Sequence, residues 1–260
     1  MSRSVIALTT FATDAFVEPQ VMVAKSALEH GARQVSLWRP EDLRRTEFYD
    51  LHRDILTRPR GAGYWLWKPF IILSELEKLR DGDFLIYTDC GKPELPLTIS
   101  QPLPILTQWC HDHSGGMTPG VYVPHFGRNA VWTKGECFTA MDCDSGLYRD
   151  HPQMAATFSV WEKHQASMDF VRTWLHWCTV PAALLDDQID PQLANSPDFR
   201  DHRHDQSVLT LLAIKHGLKC IGDPWQEHKH PKRIDGLIDR IEGRAKVFSY
   251  PDQFPSLIYA

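Results

Sequence analysis

Phe84-Leu-Ile-Tyr-Thr-Asp-Cys-Gly91 runs from an apolar strand into an aspartate and then a glycine, placing one carboxylate at a strand edge with room for a close backbone approach. Such a carboxylate can hold a metal ion or a ribose hydroxyl, and it can equally be a turn aspartate satisfied by nearby amides. Arg60-Gly-Ala-Gly-Tyr-Trp-Leu-Trp-Lys-Pro69 gathers two glycines, three aromatic residues and a lysine just before a helical pattern. A helix amino end attracts anions, so this stretch suits a diphosphate or a stacked base. A tight turn followed by two core tryptophans, Trp65 and Trp67, would use most of the same residues and leave Tyr64 and Lys68 unexplained. Arg203-His-Asp-Gln-Ser207 lies where a loop enters a helix. There Asp205 either caps free amides or, with Gln206, holds sugar hydroxyls or orients an acceptor nucleophile. His202, His204, His228 and His230 alternate in loops rather than at helical His-x-x-x-His spacing, which favours surface histidines, with one free to complete a divalent-cation site.

Alternating elements must position these groups. Val5-Ile-Ala-Leu8 reads as a strand, and Val21, Ala24 and Leu28 recur at helical spacing until Gly31. Gln34-Val-Ser-Leu-Trp38 is a second strand, and Pro69 fits the first turn of a helix bearing Ile72, Leu76 and Leu79. Phe84–Tyr87 is a third strand, with Asp89 just past its end. Pro93 to Pro104 reads as a loop, Gly120–Pro124 as a strand, Thr133–Met141 as a short helix and Ala155–Trp161 as a strand. Ser167 is placed to cap a helix burying Phe170, Val171, Trp174, Leu175 and Cys178, and a polar loop covers Asp186–His204 before the helix that Gly217 ends. Strands and helices joined by short turns predict a largely parallel sheet covered on both faces, where ligands collect at the carboxyl ends of strands.

The whole chain bounds the function. At 260 residues and 43% hydrophobic composition it can bury a sizeable core as one compact unit. A net charge of -5, with charged residues spread throughout, supplies no basic stripe and argues against a nucleic-acid partner. No apolar run reaches the roughly 20 residues needed to span a bilayer, and the first ten residues lack a signal-peptide core. A cytoplasmic protein is therefore expected, with peripheral contact at the inner membrane left open. Six scattered cysteines form no CxxC pair and read as free thiols. Most of the local basic charge falls between Pro224 and Arg244, in a segment suited to an anionic ligand.

The order of Gly63–Pro69, Asp81–Gly91, Trp132-Thr-Lys134 and His202–Ser207 resembles bacterial GT-A-type glycosyltransferases of polysaccharide and O-antigen biosynthesis clusters. The resemblance implies a GT-A-like, Rossmann-like α/β single domain across 1–260, its mostly parallel central sheet flanked by helices. Residues 1–125 would form the nucleotide-sugar-binding half and 126–260 the acceptor-side half. It implies transfer of a sugar from a nucleotide-sugar donor to a hydroxyl of a glycan or lipid-linked acceptor. Thr10, Tyr64, Trp65, Lys68, Asp89 and Gly91 would line the donor pocket. Asp89 and Asp205 would be catalytic, with Asp205 as a general base or a grip on the sugar. Arg203, His204, Gln206, His228 and His230 would contact acceptor or phosphate. Asp89 matches the first acidic residue of a DxD motif that binds Mn2+ or Mg2+, but Gly91 stands at its third position, so the basic segment or a histidine is expected to share the neutralisation of the diphosphate. Two other readings are a non-catalytic carbohydrate-binding protein and a metal-dependent phosphohydrolase, the latter lacking a clear acidic cluster.

Overall fold

The computed structural model describes residues 4–122, 126–218, 221–222 and 258–259. Its centre is a five-stranded sheet built from β1 (Ile6–Phe11), β2 (Gln34–Trp38), β3 (Phe84–Thr88), β4 (Met117–Thr118) and β5 (Phe158–Glu162), in the order β2-β1-β3-β5-β4. The pairs β1–β2 and β1–β3 are parallel, whereas β5 runs antiparallel to both β3 and β4. Four of the five strands therefore point one way, and the sheet is mixed. Because β5 comes from the second half of the chain and sits between strands of the first, the two halves share one sheet.

Side-chain alternation along these strands makes two cores. Ile6, Leu8, Phe84, Ile86, Phe158 and Val160 face one layer, and Ala7, Phe11, Leu85, Tyr87 and Trp161 face the other. Helices α1 (Val17–Glu29) and α3 (Leu103–Ser114) cover the first face with Val23, Ala27, Leu103, Leu106 and Cys110. Helices α2 (Trp67–Glu77), α4 (Gln165–Cys178) and α5 (Asp205–Lys215) cover the second. The chain is thus an α/β fold with a central sheet flanked by helices on both sides.

Local chemistry departs from the sequence pattern in two places. Ser167 does not cap α4: His164 does, its Nδ1 accepting from the Ser167 amide at 3.1 Å while the Ser167 hydroxyl accepts from the His164 amide at 3.2 Å. The Ala155–Trp161 run divides into two strands, because Met154–Ala155 joins a small sheet with Val121–Tyr122 and Ile221–Gly222 before the chain turns into β5. Among the described residues no helix is long and apolar enough to cross a membrane. The basic stretch from Pro224 to Arg244, with His228 and His230, lies outside the described residues.

Candidate active site

Phe11, Ala12 and Thr13 leave β1, and Asp89, Cys90 and Gly91 leave β3, at the same end of the sheet, where both parallel strands finish. Between them opens a cavity of about 740 Å³, closed on its other side by Gly61, Ala62, Trp65 and Trp67. Parallel strand ends diverging into turns leave such a crevice, and the wall here is mostly aromatic and aliphatic.

The Gly61–Trp65 wall is a left-handed turn, with φ at +57, +50, +97, +54 and +58° for five consecutive residues. Gly63 has no substitute: a Cβ there would lie 2.6 Å from Leu56 Cα. Ala62, Tyr64 and Trp65 carry a Cβ and are strained, at about 1–2 kcal/mol each. What holds them is a network of contacts. Trp67 donates its indole N–H to Gly61 O at 3.0 Å and stacks on Phe11 at 4.0 Å. Tyr64 and Trp65 pack on the His204 ring at 4.6 and 5.7 Å.

Lys68, on the first turn of α2, is the electrostatic centre. Only 3% exposed, its ammonium donates to Ala156 O at 2.9 Å and lies 3.7 Å from Asp89 Oδ1 and 3.5 Å from Asp205 Oδ2. Burial works against its charge, but the two carboxylates overcome it and raise its pKa. Burial also pushes the Asp205 carboxyl up to about 7, with Lys68 pulling it down and Asp89 adding to the rise. Asp89 alone of the three reaches the cavity, and its Oδ1 accepts from the Tyr87 hydroxyl at 2.5 Å. The buried groups therefore fix and charge-balance the one carboxylate of the three that opens onto the cavity.

The expected donor residues divide. Trp65, Asp89 and Gly91 line the cavity, whereas Tyr64 and Lys68 stand behind it. Thr10 is fully buried one residue short of the mouth, its carbonyl accepting from Gln20 Nε2 at 3.1 Å, and Phe11 to Thr13 take the place expected for it. Gly91 has φ of +84°, which accounts for glycine where a second aspartate was sought. On the second half, Asp205 is 3% exposed and does not open onto the cavity; it is the first residue of α5, and the preceding His204 provides no side-chain cap.

His202 and His204 are not surface groups. Burial lowers both pKa values, and each bonds a backbone carbonyl, Ala183 O at 2.9 Å and Leu184 O at 2.8 Å. Gln206 Oε1 accepts from the Ala156 amide at 3.3 Å, leaving its Nε2 without a partner, and Arg203 lies over Trp132.

Residue-type spacing missed Phe11, Phe16, Lys92, Leu97 and Thr157 on the cavity wall, while Trp67 and Tyr87 fall inside the two stretches it singled out without a role of their own. The position of Phe11 to Thr13 after an apolar strand parallel to β3 was the available signal. Thr157 and Leu97 arrive through turns that no local pattern announces.

Among the described residues no group of three His, Cys, Asp or Glu side chains converges; Asp89 has one oxygen engaged by Tyr87, and the Lys68 ammonium lies 3.7 Å from that same oxygen.

No protein-family model matches the chain, and no curated protein matches its sequence. Solved structures do resemble it. The galactosyltransferase LgtC in complex with donor and acceptor sugar analogues is 11% identical, with a TM-score of 0.46, 97% of this chain and 86% of that chain being covered. The apo-form glycosyltransferase GlyE of Streptococcus pneumoniae TIGR4 is 13% identical, with a TM-score of 0.43 over 98% of this chain and 54% of its own. The bifunctional WbbM apo structure is 8% identical, with a TM-score of 0.48 over 96% of this chain and 46% of its own. Likenesses this distant assign this chain neither an activity nor a substrate.

Proposed function

We propose that the protein is a nucleotide-sugar-dependent glycosyltransferase acting on a glycan or lipid-linked hydroxyl. The observation that carries this reading is the strand-end cavity, with aromatic walls, a single carboxylate at its edge and a buried cation behind that carboxylate. About 740 Å³ accommodates a nucleoside with its attached sugar, and indole faces suit both a base and a sugar ring. Asp89, held by Tyr87 and Lys68, is placed to accept hydrogen bonds from donor hydroxyls without reorganising. Asp205 acts here through Lys68 rather than on substrate. No step in this reading passes through a metal ion. The exposed Lys92 at the cavity wall supplies positive charge for the leaving diphosphate, a role for which its length and position suit it.

A thermal-shift panel of sugar nucleotides and free nucleoside diphosphates, each with and without manganese, tests the reading, followed by measurement of released nucleoside diphosphate. Stabilisation by at least one nucleotide sugar, lost in Asp89→Ala, is expected. Shifts with free sugars but with no nucleotide would instead support a carbohydrate-binding protein. A manganese requirement would overturn the metal-free account while leaving transfer standing.

A further inference from the structure

Arg200 and Arg203 place their guanidinium carbons 5.9 and 4.5 Å from the centre of one ring, that of Trp132. The arrangement is built into the backbone: Arg200 N bonds Val131 O at 2.9 Å, and Arg203 N bonds Trp132 O at 3.0 Å. The indole itself is held by its N–H, which donates to Phe126 O at 2.6 Å. Other arginines of this region are neutralised. Arg128 pairs with Asp150 and Asp198 at 2.8 and 2.7 Å, and Arg60 pairs with Asp186 and Asp201 at 3.2 and 2.6 Å. By contrast, among the described residues Arg203 has only Asp201, at 3.9 Å and already taken by Arg60, and Arg200 makes no ion pair.

Two under-neutralised guanidiniums on one immobilised indole form a site that wants an anion. A guanidinium can rest its face on an aromatic ring and still direct a fork of N–H donors at an oxyanion, so the stacking lowers the entropy cost of binding. A short chain of hydrogen bonds links the platform to the wall of the donor cavity. Gln206 N bonds Arg203 O at 3.0 Å, Gln206 Oε1 accepts from Ala156 N, and the next residue, Thr157, lines the cavity.

We infer that Trp132, Arg200 and Arg203 bind the phosphate or carboxylate of an anionic acceptor glycan, so that the acceptor class of this enzyme is an acidic or phosphorylated sugar. The inference rests on the transferase reading for the word acceptor, but the binding chemistry stands by itself and makes or breaks no bond.

Calorimetric titration with glucose 1-phosphate, glucuronate and methyl glucoside tests it. At least one of the two anions should bind about tenfold or more tightly than the neutral glycoside, a difference expected from charge-assisted bonds to two guanidiniums. The stronger of the two names the anion. R200Q/R203Q should remove that advantage, and Lys92→Gln, at the wall of the donor cavity, should retain it. Equal binding of all three sugars, an advantage that survives in R200Q/R203Q, or one lost in Lys92→Gln would each overturn the proposal. No transfer is measured, so these results can fail while nucleotide-sugar stabilisation stands, and the reverse.

Discussion

Replacing Lys68 by methionine keeps the length of the side chain and removes the charge that Asp89 and Asp205 share. Its cost has two parts. One is independent of pH: Ala156 O loses its 2.9 Å donor inside the protein, a loss of about 1–3 kcal/mol. The other follows from proton binding. Folding raises the Asp205 pKa from 3.8 to about 7, so between those values the folded state holds a proton that the unfolded state has released, and stability falls as pH rises through that window. Above about 7 the wild-type carboxylate ionises against Lys68 and the decline stops. Without Lys68 the pKa climbs further, the folded protein keeps its proton, and stability continues to fall by about 1.4 kcal/mol for each pH unit. At about pH 8.5 the variant should therefore lose about 2 kcal/mol more, relative to wild type, than at about pH 5.5. Urea unfolding followed by tryptophan fluorescence at the two pH values measures the difference. Adding Asp205→Asn should cancel it, because the amide neither ionises nor needs a counter-charge. A K68M penalty that is the same at both pH values, or a double variant as pH-sensitive as the single one, would refute the electrostatic account of this cluster.

Tyr87→Phe removes the 2.5 Å hydrogen bond to Asp89 and nothing else from the cavity, so the catalytic constant on the best nucleotide sugar should drop about tenfold while the unfolding free energy changes by no more than about 1.5 kcal/mol; equal turnover would remove Tyr87 from the positioning of Asp89. Gly63→Ala forces a Cβ to 2.6 Å from Leu56 Cα at φ of +97°, and thermal unfolding should show a loss of about 2–4 kcal/mol together with loss of nucleotide-sugar stabilisation. Arg60→Gln cuts ion pairs whose side chains are 33–38% exposed, so despite its two aspartate partners it should cost only about 1 kcal/mol in urea unfolding, less in high salt.

Most of the sheet was legible because β1, β2 and β3 are short apolar runs followed by Thr, Pro or Asp, whereas the two-residue strand Met117–Thr118 carries no pattern of its own; the two chemical motifs were legible because each falls at an element end. Gly61–Pro69 and Asp89–Gly91 do meet, across one cavity. Depth was not legible. Nothing in the spacing of Lys68 or Asp205 says that both would be 3% exposed, since that follows from α2 and α5 packing over the same sheet face. The histidines mislead for a related reason. His202 and His204 look like polar loop residues, yet each ring replaces a backbone partner for a carbonyl near the end of a short helical turn, Pro181–Leu184, that the sequence hides.

Two strained segments meeting at the site argue that this geometry is over-determined by its surroundings. His204 has φ of +52° and ψ of -120°, a conformation costly for a residue with a Cβ, and its ring is the surface on which Tyr64 and Trp65 of the left-handed turn rest. Relaxing His204 would swing Asp205, the next residue, away from Lys68, and relaxing the turn would withdraw the Trp65 wall and the Gly61 carbonyl that Trp67 holds. The two segments touch through the His204 ring, so the left-handed turn rests on a residue that is itself strained. The strain at His204 sets the direction of Asp205, the ion pair with Lys68 retains it, and Lys68 in turn stands behind the one carboxylate exposed to the cavity. His204→Gly permits the same φ and ψ without the cost but leaves Tyr64 and Trp65 without their packing surface. It should therefore loosen the turn, seen as faster amide exchange at Ala62–Trp65, while Asp205 stays at Lys68 and keeps its raised pKa. Unchanged exchange in that turn would show that the two strained segments are independent.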